Sequence, residues 1–98
     1  MEQRHAKRVA VISGAASGIG QAHAVRLASE GATVVIADVQ PGETTLRQIE
    51  AVGGRAVAFR CDVADPDSVA LTGELVRDTF GRCDILVNNA GLIPAKPF

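Results

Sequence analysis

The apolar residues of the chain fall into four short runs, which alternate with three longer segments that have helical spacing. Each run is rich in Val, Ile or Ala and is followed directly by Gly, Asp or Asn. Short, nearly continuous apolar runs of this kind are typical of strands buried on both faces of a parallel sheet. We therefore predict strands at residues 8–13, 32–37, 55–61 and 85–87.

The segments between these runs are predicted to be helices, and each is followed by glycine, which often ends a helix in a left-handed conformation. The predicted helices span residues 19–30, 43–52 and about 66–80. The third has the clearest start, because Asp65 suits the N-cap and Pro66 suits the first helical position. The apolar positions at helical spacing are Ile19, Ala22, Leu27 and Ala28 in the first helix, Leu46 and Ile49 in the second, and Val69, Val76 and Phe80 in the third.

This alternation of strands and helices predicts an α/β fold, in which parallel strands are joined by right-handed crossovers and helices cover both faces of a doubly wound sheet. No linker or repeat divides residues 1–98, so one domain is expected. Cys61 closes the third predicted strand and Cys83 precedes the fourth, which places them at opposite ends of the sheet. A disulfide cannot span that distance, and we expect both to be reduced packing residues.

Composition and charge limit the classes of partner. The 98 residues are 47% hydrophobic and 21% charged, which is typical of a globular domain and not of a disordered segment. The net charge of -1 provides no basic surface for nucleic acid or an anionic membrane, so small molecules or proteins are the expected partners. Residues 1–8 lack the apolar run of a secretory signal and no segment reaches transmembrane length, which predicts a cytosolic location. The cysteines and histidines are isolated, so no metal site is predicted.

The most informative segment joins the first strand to the first helix. Residues 13–20 read Ser-Gly-Ala-Ala-Ser-Gly-Ile-Gly, a G-x-x-x-G-x-G spacing. It is not the G-x-G-x-x-G dinucleotide fingerprint, because Ala16 and His23 occupy positions where that pattern needs glycine. Glycine allows a sharp turn and a close backbone approach, and the free N–H groups of a helix N-terminus attract negative charge. We predict a phosphate cradle here; the alternative is an ordinary glycine-rich turn without a ligand.

This spacing resembles the glycine motif of the short-chain dehydrogenases/reductases, which usually reads T-G-x-x-x-G-x-G. Ser13 stands in place of the threonine and keeps its hydroxyl group, so its local hydrogen bonding is expected to survive. The resemblance implies a Rossmann-like sheet in the strand order 3-2-1-4, with a nicotinamide dinucleotide at the carboxyl ends of the strands. The residues of this segment expected to bind the cofactor are Gly14, Ser17, Gly18, Ile19 and Gly20.

Asp38 follows the second predicted strand, 18 residues beyond Gly20. An acid at about this interval accepts hydrogen bonds from the adenine ribose in dinucleotide-binding proteins. Its charge would repel the 2′-phosphate of NADP, and neither Ser17 nor Val39 is a basic residue that could neutralise that phosphate. NAD is therefore the predicted cofactor. The alternative is that Asp38 only caps the turn into the next helix.

Two further motifs follow the third and fourth predicted strands. Within the resemblance, an Asp-Val pair at Asp62 and Val63 contacts the adenine, although Asp is also common in loops that bind nothing. The sequence Asn-Asn-Ala-Gly at residues 88–91 matches the family's N-N-A-G motif, whose backbone borders the cofactor. The candidate residues there are Asn89, Ala90 and Gly91. An Asn-rich turn that tolerates left-handed backbone is the alternative for this segment.

The catalytic residues of the family have no counterpart in this sequence. Members use a tyrosine as general acid and base, a lysine four residues later and a serine, but this chain has no tyrosine, and Lys7 and Lys96 are its only lysines. We expect residues 1–98 to be the first part of a longer NAD-dependent oxidoreductase, inactive alone, with residues 85–87 as an uncovered sheet edge. The parent is expected to interconvert an alcohol and a carbonyl by hydride transfer and to form a homo-oligomer. A non-catalytic dinucleotide-binding or sensing module is the alternative, and an inert fragment is the third possibility.

Overall fold

The computed structural model describes residues 7–88, which form seven elements. The strands are β1 (Val9–Ser13), β2 (Thr33–Asp38), β3 (Arg55–Arg60) and β4 (Ile85–Asn88), and the helices are α1 (Gly18–Ser29), α2 (Glu43–Ala51) and α3 (Pro66–Phe80). Their order confirms the predicted alternation, and each predicted boundary lies within one residue of the observed one. Within residues 7–88, no helix has both the length and the apolar character needed to cross a membrane.

The four strands form one parallel sheet in the order β3-β2-β1-β4, which confirms the predicted Rossmann-like topology. In the register, Ser13 is paired with Ala37 on one side and with Asn88 on the other, and Asp38 is paired with Arg60. The carboxyl ends of all four strands therefore lie along one edge of the sheet. This is the edge where open α/β sheets bind ligands.

Helices cover both faces of the sheet, as the doubly wound fold requires. On one face, Ile12, Val34 and Ile36 belong to the same apolar cluster as Ala24 of α1 and Ile49 of α2. On the opposite face, a second cluster joins three strand residues, Val11, Val35 and Ala37, to Val76 of α3. The two central strands thus bury side chains on both faces, which explains why their sequences are continuously apolar.

The apolar positions of α1 noted in the sequence coincide only in part with the buried face of the helix. Ile19 is 71% exposed and Ala22 is also exposed, whereas the buried residues are Gly20, Ala24 and Ala28. These three small residues follow one another at intervals of four, so they share one face of the helix. A Cβ atom at Gly20 would lie 2.1 Å from the Gly14 carbonyl oxygen, so the start of α1 packs directly on the backbone of the preceding loop. Close approach, and not side-chain hydrophobicity, selects this face.

The predicted start, stripe and end of α3 are confirmed. Asp65 is the N-cap, and its Oδ1 atom accepts a hydrogen bond from the Asp67 N–H group at 3.0 Å. Gly81 ends the helix with a φ of 74°. Of the predicted stripe, Val76 is buried, and Val69 and Phe80 pack at the margin of the same apolar cluster.

Asp84 ties the amino ends of β1 and β4 together. Its Oδ2 atom accepts a hydrogen bond from the Val9 N–H group at 2.8 Å, and its backbone N–H group donates to the Val9 carbonyl oxygen at 2.9 Å. The Arg82 guanidinium group also binds this carboxylate. Hydrogen bonds from Arg82 and from the Val9 N–H group lower the pKa of Asp84 below its usual range.

The two cysteines differ in their surroundings. Both are free, and Cys61 is buried, which confirms its predicted packing role. Cys83 is exposed, so the prediction that it packs in the interior is wrong. The physical reason is its position in the irregular segment between α3 and β4, outside both elements.

Candidate cofactor-binding site

The three glycines of the motif, in the β1–α1 loop and the first turn of α1, are required for two different reasons. Gly14 and Gly18 have φ angles of 68° and 60°, in the left-handed region that favours glycine. The Gly14 N–H group donates to the Ala37 carbonyl oxygen at 3.0 Å, which fixes the start of the loop on β2. Gly20 has an ordinary helical position, but any side chain there would collide with the Gly14 backbone. The motif therefore builds a tight turn with a helix packed closely behind it.

The N-terminus of α1 is open to solvent. Ser17 is the N-cap residue with an extended backbone, and its side chain makes no capping hydrogen bond. Ser17, Gly18 and Ile19 are all exposed, and no acidic residue lies in the first turn. The first N–H groups of a helix have no partners within the helix, and they carry the positive end of its dipole. This arrangement can accept an anionic group of a ligand.

Asp38 lies beside this loop and makes contact with it. Its Oδ2 atom accepts a hydrogen bond from the Ala16 N–H group at 3.1 Å, and its Oδ1 atom accepts one from the Gln40 N–H group at 3.0 Å. The second bond is the turn-capping role named above as the alternative. A carboxylate has about four acceptor positions, so these two bonds leave capacity for hydroxyl donors from a ligand. The cap and a ligand-binding role are therefore compatible.

The charge around Asp38 is not neutralised by a neighbouring base within residues 7–88. Arg60 stands opposite Asp38 in the strand register, yet it forms no ion pair with it. Val39, the next residue in the chain, is 47% exposed and apolar. A ligand that approaches this corner of the sheet therefore meets a negative carboxylate next to an apolar side chain.

Thr45 and Gln21 support the loop from behind, and neither is among the site residues predicted from the sequence. The Thr45 hydroxyl group donates to the Ala15 carbonyl oxygen at 2.7 Å. The Gln21 Nε2 atom donates to Thr45 Oγ1 at 2.9 Å and to the Ala16 carbonyl oxygen at 3.3 Å. One signal was available for Thr45, because it precedes the buried Ile49 by four residues and so shares its helix face.

Asp62 and Val63 follow β3 at the same edge of the sheet. The Cys61 N–H group donates to the Asp38 carbonyl oxygen at 3.1 Å, which brings this segment next to the end of β2. Asp62 Oδ1 accepts from the Ala64 N–H group at 3.0 Å, so the carboxylate supports its own turn. Val63 packs against the apolar cluster that contains Val76. The contacts of both residues within the protein are those of a structured turn, and one carboxylate oxygen of Asp62 keeps acceptor capacity.

Of the Asn-Asn-Ala-Gly motif at residues 88–91, the structure describes only Asn88. β4 ends at Asn88, whose backbone is in register with Ser13, and the candidate residues Asn89, Ala90 and Gly91 lie outside the described residues. The Ser13 hydroxyl group donates to the Val87 carbonyl oxygen at 3.4 Å. The hydroxyl group kept at position 13 therefore joins β1 to β4. Within residues 7–88, no group of three or more His, Cys, Asp or Glu side chains is arranged to hold a metal ion.

The sequence matches the model of a protein family over nearly all of its length. The family model described as short chain dehydrogenase matches residues 8–98. The chain belongs to the short-chain dehydrogenase family. Cis-4-hydroxycyclohexanecarboxylate dehydrogenase from Sinomonas cyclohexanicum is 47% identical to it over 97 residues, in a match that covers 98% of this chain and 39% of that protein.

Solved structures of short-chain dehydrogenases share the fold described above. A metagenomic short-chain oxidoreductase in complex with NADP matches with a TM-score of 0.83 at 44% identity, over 89% of this chain and 40% of that one. A short chain dehydrogenase from Mycobacterium paratuberculosis bound to NAD matches with a TM-score of 0.81 at 36% identity, over 92% of this chain and 39% of that one. The chain thus spans about two fifths of the length of these relatives.

Proposed function

We propose that this chain is the NAD-binding part of an oxidoreductase that interconverts an alcohol and a carbonyl compound by hydride transfer. The observation that carries the proposal is the hydrogen bond between the Asp38 carboxylate and the Ala16 N–H group. It joins a residue suited to bind a ribose to the loop that precedes an open helix N-terminus. A dinucleotide needs a site for its ribose and a site for its diphosphate. The carboxylate and the helix N-terminus meet at the carboxyl edge of a parallel sheet, where such ligands bind.

Each candidate residue has a distinct role in this proposal. The N–H groups of Gly18 and Ile19, at the exposed start of α1, bind the diphosphate. Gly14 and Gly20 shape the turn that lets the diphosphate approach the backbone, and the N–H group of the N-cap residue Ser17 is a third donor to it. Asp38 accepts hydrogen bonds from the adenine ribose. The remaining residues border the rest of the cofactor: Asp62 and Val63 at the adenine, and the backbone of Asn89, Ala90 and Gly91 at a part that is left open. The nicotinamide ring of the bound cofactor supplies the hydride chemistry.

Electrostatics favours NAD over NADP. Two unit charges 4 Å apart interact by about 4 kcal/mol at the effective dielectric constant of about 20 that suits a protein surface. The Asp38 carboxylate would oppose a 2′-phosphate by an energy of that order, before screening by salt reduces it. Family membership alone does not decide between the cofactors, because one similar structure contains NADP and another contains NAD. The choice therefore rests on Asp38.

The catalytic step belongs to the longer protein of which residues 1–98 are proposed to be the first part. The chain has no tyrosine and spans about two fifths of its relatives. A Y-x-x-x-K sequence downstream would supply the acid and base for a small-molecule alcohol or carbonyl substrate, and residues 1–98 alone are expected to be inactive. The parent is proposed to be a homo-oligomer. Its cytosolic location stays a prediction.

Isothermal titration of the 98-residue chain with NAD, and with NADP as the control, tests the proposal. NAD is expected to bind more tightly than NADP. Asp38→Ala should weaken NAD binding by about tenfold or more, because hydrogen bonds to a charged group contribute about 1.5–3 kcal/mol each. Asp78→Ala, on an exposed position of α3, is the matched control and should leave the affinity unchanged. An affinity for NAD that Asp38→Ala does not alter would refute the proposal.

A further inference from the structure

Thr45 places a hydroxyl group in the interior, where α2 packs on the glycine loop. Its side chain is 0% exposed, in a helix whose other buried residue is Ile49. A buried hydroxyl group is unfavourable unless it is hydrogen-bonded. Here the hydroxyl group donates to the Ala15 carbonyl oxygen and accepts from the Gln21 side chain. Both recorded hydrogen bonds of this side chain therefore join α2 to the loop and to Gln21.

The peptide group between Ala15 and Ala16 is held at both of its ends. The Thr45 hydroxyl group donates to the Ala15 carbonyl oxygen at 2.7 Å, and the Ala16 N–H group donates to Asp38 Oδ2 at 3.1 Å. A trans peptide is planar, so the direction of its oxygen also sets the direction of its N–H group. A hydrogen bond to the carbonyl oxygen also polarises the peptide and strengthens the N–H donor. A buried side chain of α2 is thus connected to the carboxylate of Asp38 through one peptide.

The next peptide, between Ala16 and Ser17, is held from the same side. Gln21 Nε2 donates to the Ala16 carbonyl oxygen at 3.3 Å, and residues 7–88 contain no cis peptide bond. In a trans peptide the N–H group points opposite to the carbonyl oxygen. The Ser17 N–H group is therefore directed away from Gln21, and Ser17 itself is exposed. Gln21 orients a donor at the start of α1 without lying at the exposed surface of the loop.

From these contacts we infer that Thr45 and Gln21 are positioning residues of the proposed cofactor site. They fix the two peptides of the loop that present the Ala16 N–H group to Asp38 and the Ser17 N–H group to the diphosphate. The place of the ribose-binding carboxylate is thereby set from α2. The ligand in this inference rests on the proposed function, whereas the orientation of the two peptides does not.

Matched variants of Thr45 separate positioning from simple stability. Thr45→Val removes the hydroxyl group and keeps the branched shape, while Thr45→Ser keeps the hydroxyl group. Thr72→Val makes the same chemical change at another buried threonine, on α3, whose hydroxyl group donates to the Ser68 carbonyl oxygen of its own helix. Gln21→Leu removes the hydrogen bonds that α1 donates to Thr45 and to the Ala16 carbonyl oxygen, and this variant serves if Thr45→Val does not fold.

Two readouts are measured on the 98-residue chain: calorimetric titration with NAD and with NADP, and amide hydrogen exchange at Ala16 by NMR. Thr45→Val should weaken NAD binding about fivefold to tenfold, the loss expected for about one hydrogen bond. NADP binding should change less, because Asp38 already opposes it, so the ratio of the two affinities falls. The Ala16 amide should also exchange faster. Thr45→Ser and Thr72→Val should behave like the unaltered chain in both readouts.

The outcomes distinguish this inference from the proposed function. If the unaltered chain does not bind NAD but Thr45→Val still accelerates exchange at Ala16, the proposed function fails and the positioning role stands. If NAD binds and Thr45→Val leaves both the affinity ratio and the Ala16 exchange unchanged, the positioning role is overturned. A purely structural role would lower the melting temperature of Thr45→Val and Thr72→Val alike without changing the affinity ratio, and that result also overturns it.

Discussion

Replacing Gly20 by alanine should be among the most damaging small substitutions in the chain. The added Cβ atom would lie 2.1 Å from the Gly14 carbonyl oxygen, 2.7 Å from the Gly14 carbonyl carbon and 3.2 Å from the Ala15 Cα atom. All three are backbone atoms, so no flexible side chain can move aside. Overpacking typically costs about 1–3 kcal/mol, and we expect the upper end of that range or more. At about 4–8 °C per kcal/mol for a domain of this size, the melting temperature should fall by at least about 10 °C.

Gly73→Ala provides a control with the opposite sign. Gly73 also lies inside a helix, α3, and nothing lies within 4 Å of the position of its Cβ atom. Alanine is preferred to glycine in a helix interior by about 0.5–1 kcal/mol, so this variant should be more stable than the unaltered chain. Thermal unfolding followed by circular dichroism compares the two. The reasoning would be refuted if Gly20→Ala unfolded at the same temperature as the unaltered chain or above it.

Two further predictions concern the supports of the fold. The pKa of Asp84 is lowered by Arg82 and by the Val9 N–H group, so the stability that it contributes is present above the pKa of an unfolded aspartate, about 3.9, and is lost as the pH falls through the lowered folded value. Urea unfolding at a series of pH values measures the free energy of unfolding of the unaltered chain and of Asp84→Asn. The difference between the two should be constant near neutral pH and should shrink in acid. A difference that grows in acid would contradict the lowered pKa of Asp84. Asp65→Ala removes the N-cap acceptor of α3 and should lower the free energy of unfolding by about 1 kcal/mol. Asp67→Asn keeps the cap and should lower this free energy less. Equal losses in both variants would show that charge and not capping matters.

The elements could be predicted from the sequence because their signals are local. Continuous apolar runs mark strands with two buried faces, and Asp65, Pro66 and Gly81 mark the ends of α3 without reference to the rest of the fold. Parallel pairing in the order 3-2-1-4 then followed from the alternation of elements and the family resemblance. Asp38 could be placed at the carboxyl edge of the sheet in the same way, since it directly follows an apolar run.

The packing of α1 and the support of the loop could not be predicted in this way. Gly20, Ala24 and Ala28 have little hydrophobicity, so an apolar pattern favours Ile19, which the structure leaves exposed. The buried face is set by how closely the helix approaches the loop, and this depends on the path of the backbone. Thr45 has the appearance of a surface residue in the sequence, and its role appears only when α2 is seen against the Ala15 carbonyl oxygen.

The central claim is that one dinucleotide lies across the start of α1 and the carboxylate of Asp38. Its most direct test is an NMR titration of the 98-residue chain with NAD, in which backbone amide shifts are followed residue by residue. The largest changes are predicted at Ser17, Gly18 and Ile19 and at the Ala16 amide that Asp38 holds, with the Gly73 amide of α3 unaffected. Saturable changes confined to α3, or no change at these four amides at high NAD concentration, would contradict the account.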